Sequence, residues 1–575
     1  MEMPSSRDAP RLDPSSSWTE LAVEDQQILR VLDPSESQPW LLAKIQHYER
    51  YTRALCAAYN NASLIHRRLP PELLMEIFGH VRPKTCQGIH LLHVCRRWRD
   101  LALRTPQFWA NMLRVSAVVR RAQAGEPLGL ERFQTYLARS APCLIPLTFR
   151  SLSMRIADIL ALNGQRISSL TVTVGPKQIT DIYLLLSHGM PNLREVAIQH
   201  EQNSGIMQEE DRAMMLSVQC TEDKLPRLRS LRISNVFLSA AMVVPTLQSL
   251  FIGGCVCMDC TATSLDTILS VLRRCPSLLS LQFLEESEPR LPVDTPAISQ
   301  VPVPLPLLDK LMFGKYPVEP LSAIISHLVL PPTVLLKFEC DPRSGSLLPD
   351  ALGSLPLIST LESLEVNTNE SKCTARAHAG GAERLSFVTG IPARVSVVPE
   401  LLSVFAPTGT APSVTRLYLG FKSAAYSAHV DGPRMDALLA AFPRVRYVKM
   451  TRKCHHFFHS LTAASAQDVN AELPCPALEH LVLKWTVGWA DGEFGLACEI
   501  AEKALARRAQ KGLRLKRLEA TFQRLHGLVG EEVDLEEVKR NVTARLAPYA
   551  DEVVVELQPS PQRSRRASTG SGLGS

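Results

Sequence analysis

Two clusters in this chain combine residue types that bind metals or act as nucleophiles. The phrase "CVCMDC" carries Cys255, Cys257 and Cys260, and Cys275 follows. Four thiolates can hold zinc in a tetrahedron, but C-x-C-x-x-C is not the spacing of a zinc knuckle. The second cluster, "KCHHFFHS", supplies Cys454, His455, His456 and His459. A metal or an activated thiol there needs a carboxylate or a further ligand, and the segment has none, so it reads as a polar loop after a strand. Arg96, Arg97 and Arg99 flank Trp98 and could meet nucleic acid by charge and stacking. They read more simply as the solvated face of a helix that keeps Trp98 turned the other way. The sequence has no phosphate-binding glycine loop, G-x-S-x-G elbow or H-E-x-x-H pair. Ser568 in "RRAS" fits a basophilic kinase site, a pattern that Arg/Ser tails often produce by chance. The expectation is a non-enzyme without metal or cofactor.

Composition narrows the class further. At 575 residues the chain exceeds one ordinary core, so it should hold several units or one long array. Apolar residues make up 45% and charged residues 21%, which is globular. The 41 prolines against 28 glycines mean many breaks, as a repeat array would need. A net charge of +6 is too small for this size to point to nucleic acid. The absence of a long apolar run and of a signal-peptide layout predicts a soluble protein of the cytoplasm and/or nucleus, with no membrane partner. The 14 cysteines are then reduced thiols, many of them buried. The glycosylation-like triplets at Asn61, Asn369 and Asn541 lose their chemical meaning in that setting.

The elements that would position these residues follow from periodicity. Residues 1–19 and the Ser/Arg-rich residues 558–575 are expected to be disordered. In the helical segment 20–62, Leu41, Ile45, Tyr48, Thr52, Leu55 and Tyr59 recur at alternating four- and three-residue steps, which draws a seam along one helix. Ser37 and Pro39 mark its expected start, and we read the seam as packing on its own domain. The next stretch, "RRLPPELLMEIFGHV", begins a helix at Pro70 and Pro71, with Glu72 placed at the positive end of the helix dipole. Leu73, Leu74, Ile77, Phe78 and Val81 make its apolar stripe unusually wide. A second helix, "IHLLHVCRRWRDLAL", should carry Leu91, Val94, Cys95, Trp98, Leu101 and Ala102 on one face, and a third begins at Pro106. Three short helices cannot bury all these side chains in one another, so part of the apolar surface should meet a partner.

The ordered set "RRLPPELLMEIFGHV…LLHVCRRWRDLALRTPQFWANML" resembles the F-box. It has Leu-Pro, a Glu two residues on, a Leu-Leu pair, Ile-Phe, a gap, then Val-Cys with Trp three residues later. The preceding helix and the ending "TPQFWANM" are similar to a large set of fungal F-box-like proteins. The resemblance assigns residues 63–116 to an F-box-like domain, with 117–149 as a connecting helical segment.

Past residue 150 a phrase returns: "PNLREVAI" at 191, "PRLRSLRI" at 226, "PTLQSLFI" at 245, "PSLLSLQF" at 276, "PLLDKLMF" at 306, "PSVTRLYL" at 412, "PRVRYVKM" at 443 and "PALEHLVL" at 476. Each is Pro-x-apolar-x-x-apolar-x-apolar, so each should enter one short parallel strand. Helical patterns precede several copies, as in "SLDTILSVLRRC". The phrase resembles leucine-rich repeats, in which stacking creates the core. Cys255 and Asn369 stand at the ladder position of such repeats, which gives Cys255 a structural explanation. The expected fold class is therefore α+β: a helix, a three-helix F-box-like domain, then an irregular leucine-rich-repeat-like α/β solenoid over 150–557 that ends in "DEVVVEL". Residues 285–305 and 367–382 read as insertions or loops.

The resemblance implies an adaptor of a Skp-cullin-F-box ubiquitin ligase. In that reading Leu69, Pro70, Glu72, Leu73, Leu74, Ile77 and Phe78, with Val94, Cys95 and Trp98, form or support the face that binds a Skp-family adaptor and through it a cullin. The repeats would hold a protein substrate, and the partners would supply catalysis. The alternative is a non-ligase interaction scaffold that uses the same repeat surface.

Overall fold

The computed structural model describes residues 21–82, 89–114, 116–201, 219–253, 264–284, 301–316, 318–340, 348–368, 372–390, 413–421, 432–451, 454–463, 473–487, 493–524 and 535–558. The predicted terminal tails, apart from Gln558 at the end of the last strand, lie outside the described residues, as do Ser568, Asn369, Cys255, Cys257 and Cys260. The chain forms two compact units, Met1–Ile145 and Pro146–Ser575.

The first unit is helical. Its helices are α1 (Val23–Val31), α2 (Pro34–Ala62), α3 (Leu64–Arg68), α4 (Pro71–His80), α5 (Leu91–Val94), α6 (Arg96–Leu103), α7 (Pro106–Leu113), α8 (Ser116–Gln123) and α9 (Pro127–Arg139). Its core is built on α7, where Phe108, Trp109, Met112 and Leu113 are buried between α4 and α9. The Trp109 ring packs 4.9 Å from Tyr136 under the Arg139 guanidinium, and its indole N–H donates to the Ala102 carbonyl at 2.9 Å. An aromatic residue whose polar tip is satisfied can be buried whole, which makes this short Pro-initiated helix the center of the unit.

Three expectations for this unit are corrected. α2 begins at Pro34, upstream of Pro39. Ser37 lies inside the helix and its hydroxyl donates to the Asp33 carbonyl at 2.9 Å, as a serine in a first turn can. The α2 seam is not packed on its own domain: Ile45, Tyr48, Leu55 and Tyr59 are exposed, and α1 reaches it beside Lys44 and Tyr48, through Asp25. The expected second helix is two helices, because Cys95 adopts an extended backbone (φ −160°, ψ 169°) between α5 and α6.

The second unit is dominated by a sixteen-stranded sheet among the described residues. Its first half contains β1 (Ile145–Phe149), β2 (Ile167–Val174), β3 (Glu195–His200), β4 (Ser230–Ser234), β5 (Ser249–Gly253) and β6 (Ser280–Leu284), which stand side by side in chain order. Next come β7 (Val303–Pro304), β8 (Lys310–Tyr316), β9 (Leu328–Val329) and β10 (Leu335–Cys340), of which β7 and β9 form a separate two-stranded ribbon. The remaining strands are β11 (Ser363–Thr368), β12 (Lys372–Ala379), β13 (Ala382–Gly390), β14 (Arg416–Phe421), β15 (Tyr447–Thr451), β16 (His480–Val487), β17 (Leu515–Arg524) and β18 (Ala550–Gln558). From β2 onward every neighboring pair is parallel except β11–β12 and β12–β13.

The recurring Pro-x-apolar phrase has a local cause. In seven of the eight copies the residue before the proline accepts a hydrogen bond from the apolar residue two after the proline: Met190 from Leu193, Leu225 from Leu228, Val244 from Leu247, Cys275 from Leu278, Leu305 from Leu308, Phe442 from Val445 and Cys475 from Leu478; Pro412 of the eighth lies outside the described residues. This is a four-residue turn with proline at its second position, where the ring presets φ. The next residues then join the ladder of the preceding strand; Arg194, for example, accepts from both Arg229 and Ser230. These seven copies thus enter the sheet in the same register. Leu231, Leu250, Leu281, Leu311 and Leu336 align across β4, β5, β6, β8 and β10, and all are buried. Phe283, Phe313 and Phe338 follow two residues on, with successive rings stacked 4.8 and 5.7 Å apart in nearly parallel planes.

In the stretch 367–382, expected as a loop or insertion, residues 367–368 complete β11, 372–379 form β12 and Gly380 and Gly381 turn into β13, while 369–371 lie outside the described residues. Both glycines have positive φ (57° and 77°), which a tight hairpin turn needs. The signal was hidden because β12 buries only the small side chains Cys373, Ala375 and Ala377. Of the other expected insertion, residues 301–305 carry β7, and 285–300 lie outside the described residues.

Candidate functional site

α4 presents two faces. Pro71 occupies its first turn after Pro70, and Glu72 follows. Leu74 and Phe78, four residues apart, are each 2% exposed, whereas Leu73 and Ile77 on the adjacent stripe are 46% and 49% exposed. A hydrophobic stripe wider than one contact surface thus divides into an inner and an outer row. Leu69 is half-buried, and Pro70 and Glu72 are exposed. Val94 at the end of α5 is exposed, as are Leu64 and Ile65 on α3.

Cys95 and Trp98 hold the inner row. The Cys95 sulfur accepts the Trp98 backbone N–H at 3.4 Å, so a weak acceptor caps α6 where a serine or aspartate more often would. Trp98 meets Phe78 edge to face with ring centers 5.2 Å apart. The three-residue spacing from Cys95 to Trp98 is therefore the spacing from a cap to the third residue of the helix it caps. Both side chains are half-buried.

Asn111 was not anticipated. It is 4% exposed, and its amide donates to the carbonyls of Gly79 and Val81 at 2.8 and 3.0 Å. The last carbonyls of a helix have no partner within it, so α7 closes the end of α4 and fixes the angle of the outer row. A polar residue inside the run "FWANML" was the available signal.

Residues 66–115 match the F-box-like family. No curated protein matches the chain. The F-box-like segment runs from the end of α3 through α7, and it contains both rows of α4, the Cys95 cap and Asn111.

The other candidate chemistry is placed differently. The predicted polar loop at "KCHHFFHS" is a helix, Cys454–Ala463, in which Phe457, Phe458 and Leu461 are buried while His459 is exposed. Its apolar residues at helical spacing overrode the polar look of the histidines. Cys275 is buried, and desolvation of its thiolate pushes the thiol up to about 12. Burial does the same to Cys220, to about 11, and to Cys373 and Cys475, to about 12. Such thiols are packing residues, poorly suited to nucleophilic or ligand roles. Among the described residues no group of three or more His, Cys, Asp or Glu side chains could hold a metal ion. Arg96 and Arg99 are exposed, and Arg99 donates to the Leu92 carbonyl at 2.8 Å across the break between α5 and α6. Among the described residues no helix is long and apolar enough to cross a membrane.

Proposed function

We propose that this protein is the substrate-recognition adaptor of a Skp-cullin-F-box type ubiquitin ligase. The observation that carries the reading is the exposed row Leu73 and Ile77, about half uncovered on a helix whose other row is sealed, inside the segment that matches the F-box-like family. Leu69, Pro70, Glu72 and Val94 extend that outer surface toward a Skp-family partner. Leu74, Phe78, Cys95 and Trp98 support it from behind. The large sheet acts as a degenerate leucine-rich-repeat-like solenoid that binds a protein substrate; the Pro-initiated turns and the in-register leucine and phenylalanine rows support that reading. The adaptor has no catalytic residue of its own. It works by raising the effective concentration of a bound substrate near an activated ubiquitin, in the cytoplasm and/or nucleus, and transfer is performed by its partners.

Coexpression with a Skp-family protein tests the proposal. One-to-one coelution on size exclusion is the expected result. Separate elution at micromolar concentrations of both proteins overturns it and leaves the non-ligase scaffold as the function of the sheet.

A further inference from the structure

The substrate-binding reading of the sheet can be sharpened by the charges on its solvent-facing rows. On β17, Arg517 is engaged by Glu519 at 2.7 Å and Glu552 at 3.4 Å. On β13, Glu383 is shared by Lys337 at 3.7 Å and Arg376 at 4.0 Å. Between the β13–β12 pair and β17 lie β11, β14, β15 and β16, and on the last three Arg416, Lys449 and Lys484 form no ion pair with any described residue.

Their register is diagonal. Arg416 stands beside Tyr447, and Tyr418 beside Lys449; Lys449 stands beside Val482, two residues before Lys484. Each step along the cations moves one strand across and two residues along, roughly 8 Å from strand spacing and rise. Tyr418 and Tyr447 occupy the crossing diagonal, with ring centers 5.4 Å apart. Burial and the neighboring Tyr418 push the Tyr447 hydroxyl up, so it remains a proton donor at neutral pH. An extended peptide presents the side chains of one face about every 7 Å, which long Arg and Lys side chains can match.

We infer that the face of β14–β16 that carries these cations binds an extended acidic peptide segment, with carboxylates at alternate positions paired to exposed Arg416 and half-buried Lys449 and Lys484 and with the peptide body resting on half-buried Tyr418 and Tyr447. The inference rests on the substrate-binding role proposed for the sheet. Carboxylates on the same face argue for a peptide over nucleic acid. Glu365 lies beside Tyr418, Glu519 beside Val482 and Glu552 beside Arg517, so no continuous basic track follows a phosphate backbone. A peptide with spaced charges avoids these points.

The test uses the full chain, alone and with a Skp-family protein, and a fluorescein-labeled peptide of alternating Glu and Ser read by anisotropy. The wild type should bind, and added salt should weaken binding. The triple change Arg416→Gln, Lys449→Gln and Lys484→Gln should weaken binding roughly tenfold or more, given that paired charges at an interface each contribute measurably. Reversing Arg132, Arg194 and Arg274, which are exposed elsewhere, should leave it within about twofold. Thermal unfolding of each variant separates misfolding from lost contacts, and Tyr418→Phe with Tyr447→Phe gives a second, milder variant that should lose several-fold in affinity. No binding by a folded wild type, an unchanged affinity in the Gln triple, or equal binding of an alternating Lys-Ser peptide overturns the inference. Tighter binding of oligouridylate with the same sensitivity assigns the face to nucleic acid and overturns it as well. Skp binding is measured on the same samples, so Skp capture without peptide binding sinks the acidic-peptide site and spares the adaptor reading; peptide binding without Skp capture does the reverse.

Discussion

Replacing Leu73 and Ile77 together with alanine should weaken capture of a Skp-family protein and leave the fold intact. Each side chain is close to half exposed, so docking can cover the remaining half. Full burial of such a side chain contributes about 1.5 to 3 kcal/mol, which makes the two exposed halves together worth about 1.5 to 3 kcal/mol. That difference is roughly 10- to 150-fold in Kd. Stability should change little, because alanine is the better helix former and the truncated atoms face water. The inner row gives the opposite result. Leu74→Ala or Phe78→Ala opens a cavity against α7 and Trp98 and should lower unfolding free energy by about 2 to 5 kcal/mol. Isothermal titration with the Skp-family protein and urea unfolding of the same preparations separate the two effects. Unchanged affinity in the outer-row variant would refute the assignment of that row to docking, and an unchanged urea midpoint in the inner-row variants would refute the division of α4 into two faces.

Other substitutions test how the faces are held. Asn111→Asp replaces a donor to two carbonyls with an acceptor and should destabilize the helical unit by about 2 to 4 kcal/mol, read by urea unfolding; Skp affinity should fall with it, because the end of α4 loses its cap. Hydrogen bonds from Lys44 and Tyr48 hold the Asp25 carboxyl below its usual value. Its contribution is present above the unfolded carboxylate pKa and is lost as pH falls through the folded value, so α1 should detach from α2 below about pH 4. NMR of the α1 amides would follow that transition, and Asp25→Asn should produce it at neutral pH. Iodoacetamide at pH 8 should modify exposed Cys56 and spare Cys220, Cys275, Cys373 and Cys475 in the native protein, with peptide mapping as the readout; rapid modification of the buried four would contradict their raised pKa values.

The parts of this molecule governed by local rules were legible before any coordinates. Pro70 and Pro71 set the start of α4, and the Pro-x-apolar phrases marked strand entries because a proline turn and two alternating apolar residues are local features. The large, mostly parallel sheet followed from counting them. What failed were features decided by distant residues. β12 reads as a polar stretch because its buried positions are Cys373, Ala375 and Ala377, and only its neighbors β11 and β13 make it a strand. Cys95 lies in a run with helical periodicity, yet the chain breaks there so that its sulfur can cap α6. The two rows of α4 were indistinguishable by hydropathy, since Leu73 and Leu74 are the same residue type; the positions of α6 and α7 decide which is sealed. Asn111 acts across about thirty residues, on Gly79 and Val81, and no spacing rule reports that.

The hairpin at β12 and β13 also sets an arithmetic on how this array can change length. In the sheet, β10 is followed by β13, β12, β11 and then β14, so within this insert the reversed strand is β12, and β11 and β13 run parallel to β14 and β10. Strand polarity survives because the insert brings two extra strands; β12 alone would have left β10 beside a strand running the wrong way. Leu336, Leu385, Ala377, Leu364 and Leu417 still share one row across the insert. Removing β12 and β13 together would restore an unbroken parallel succession from β10 to β11 with the same residues aligned. Parity, more than size, is what lets such a sheet accept or shed a segment.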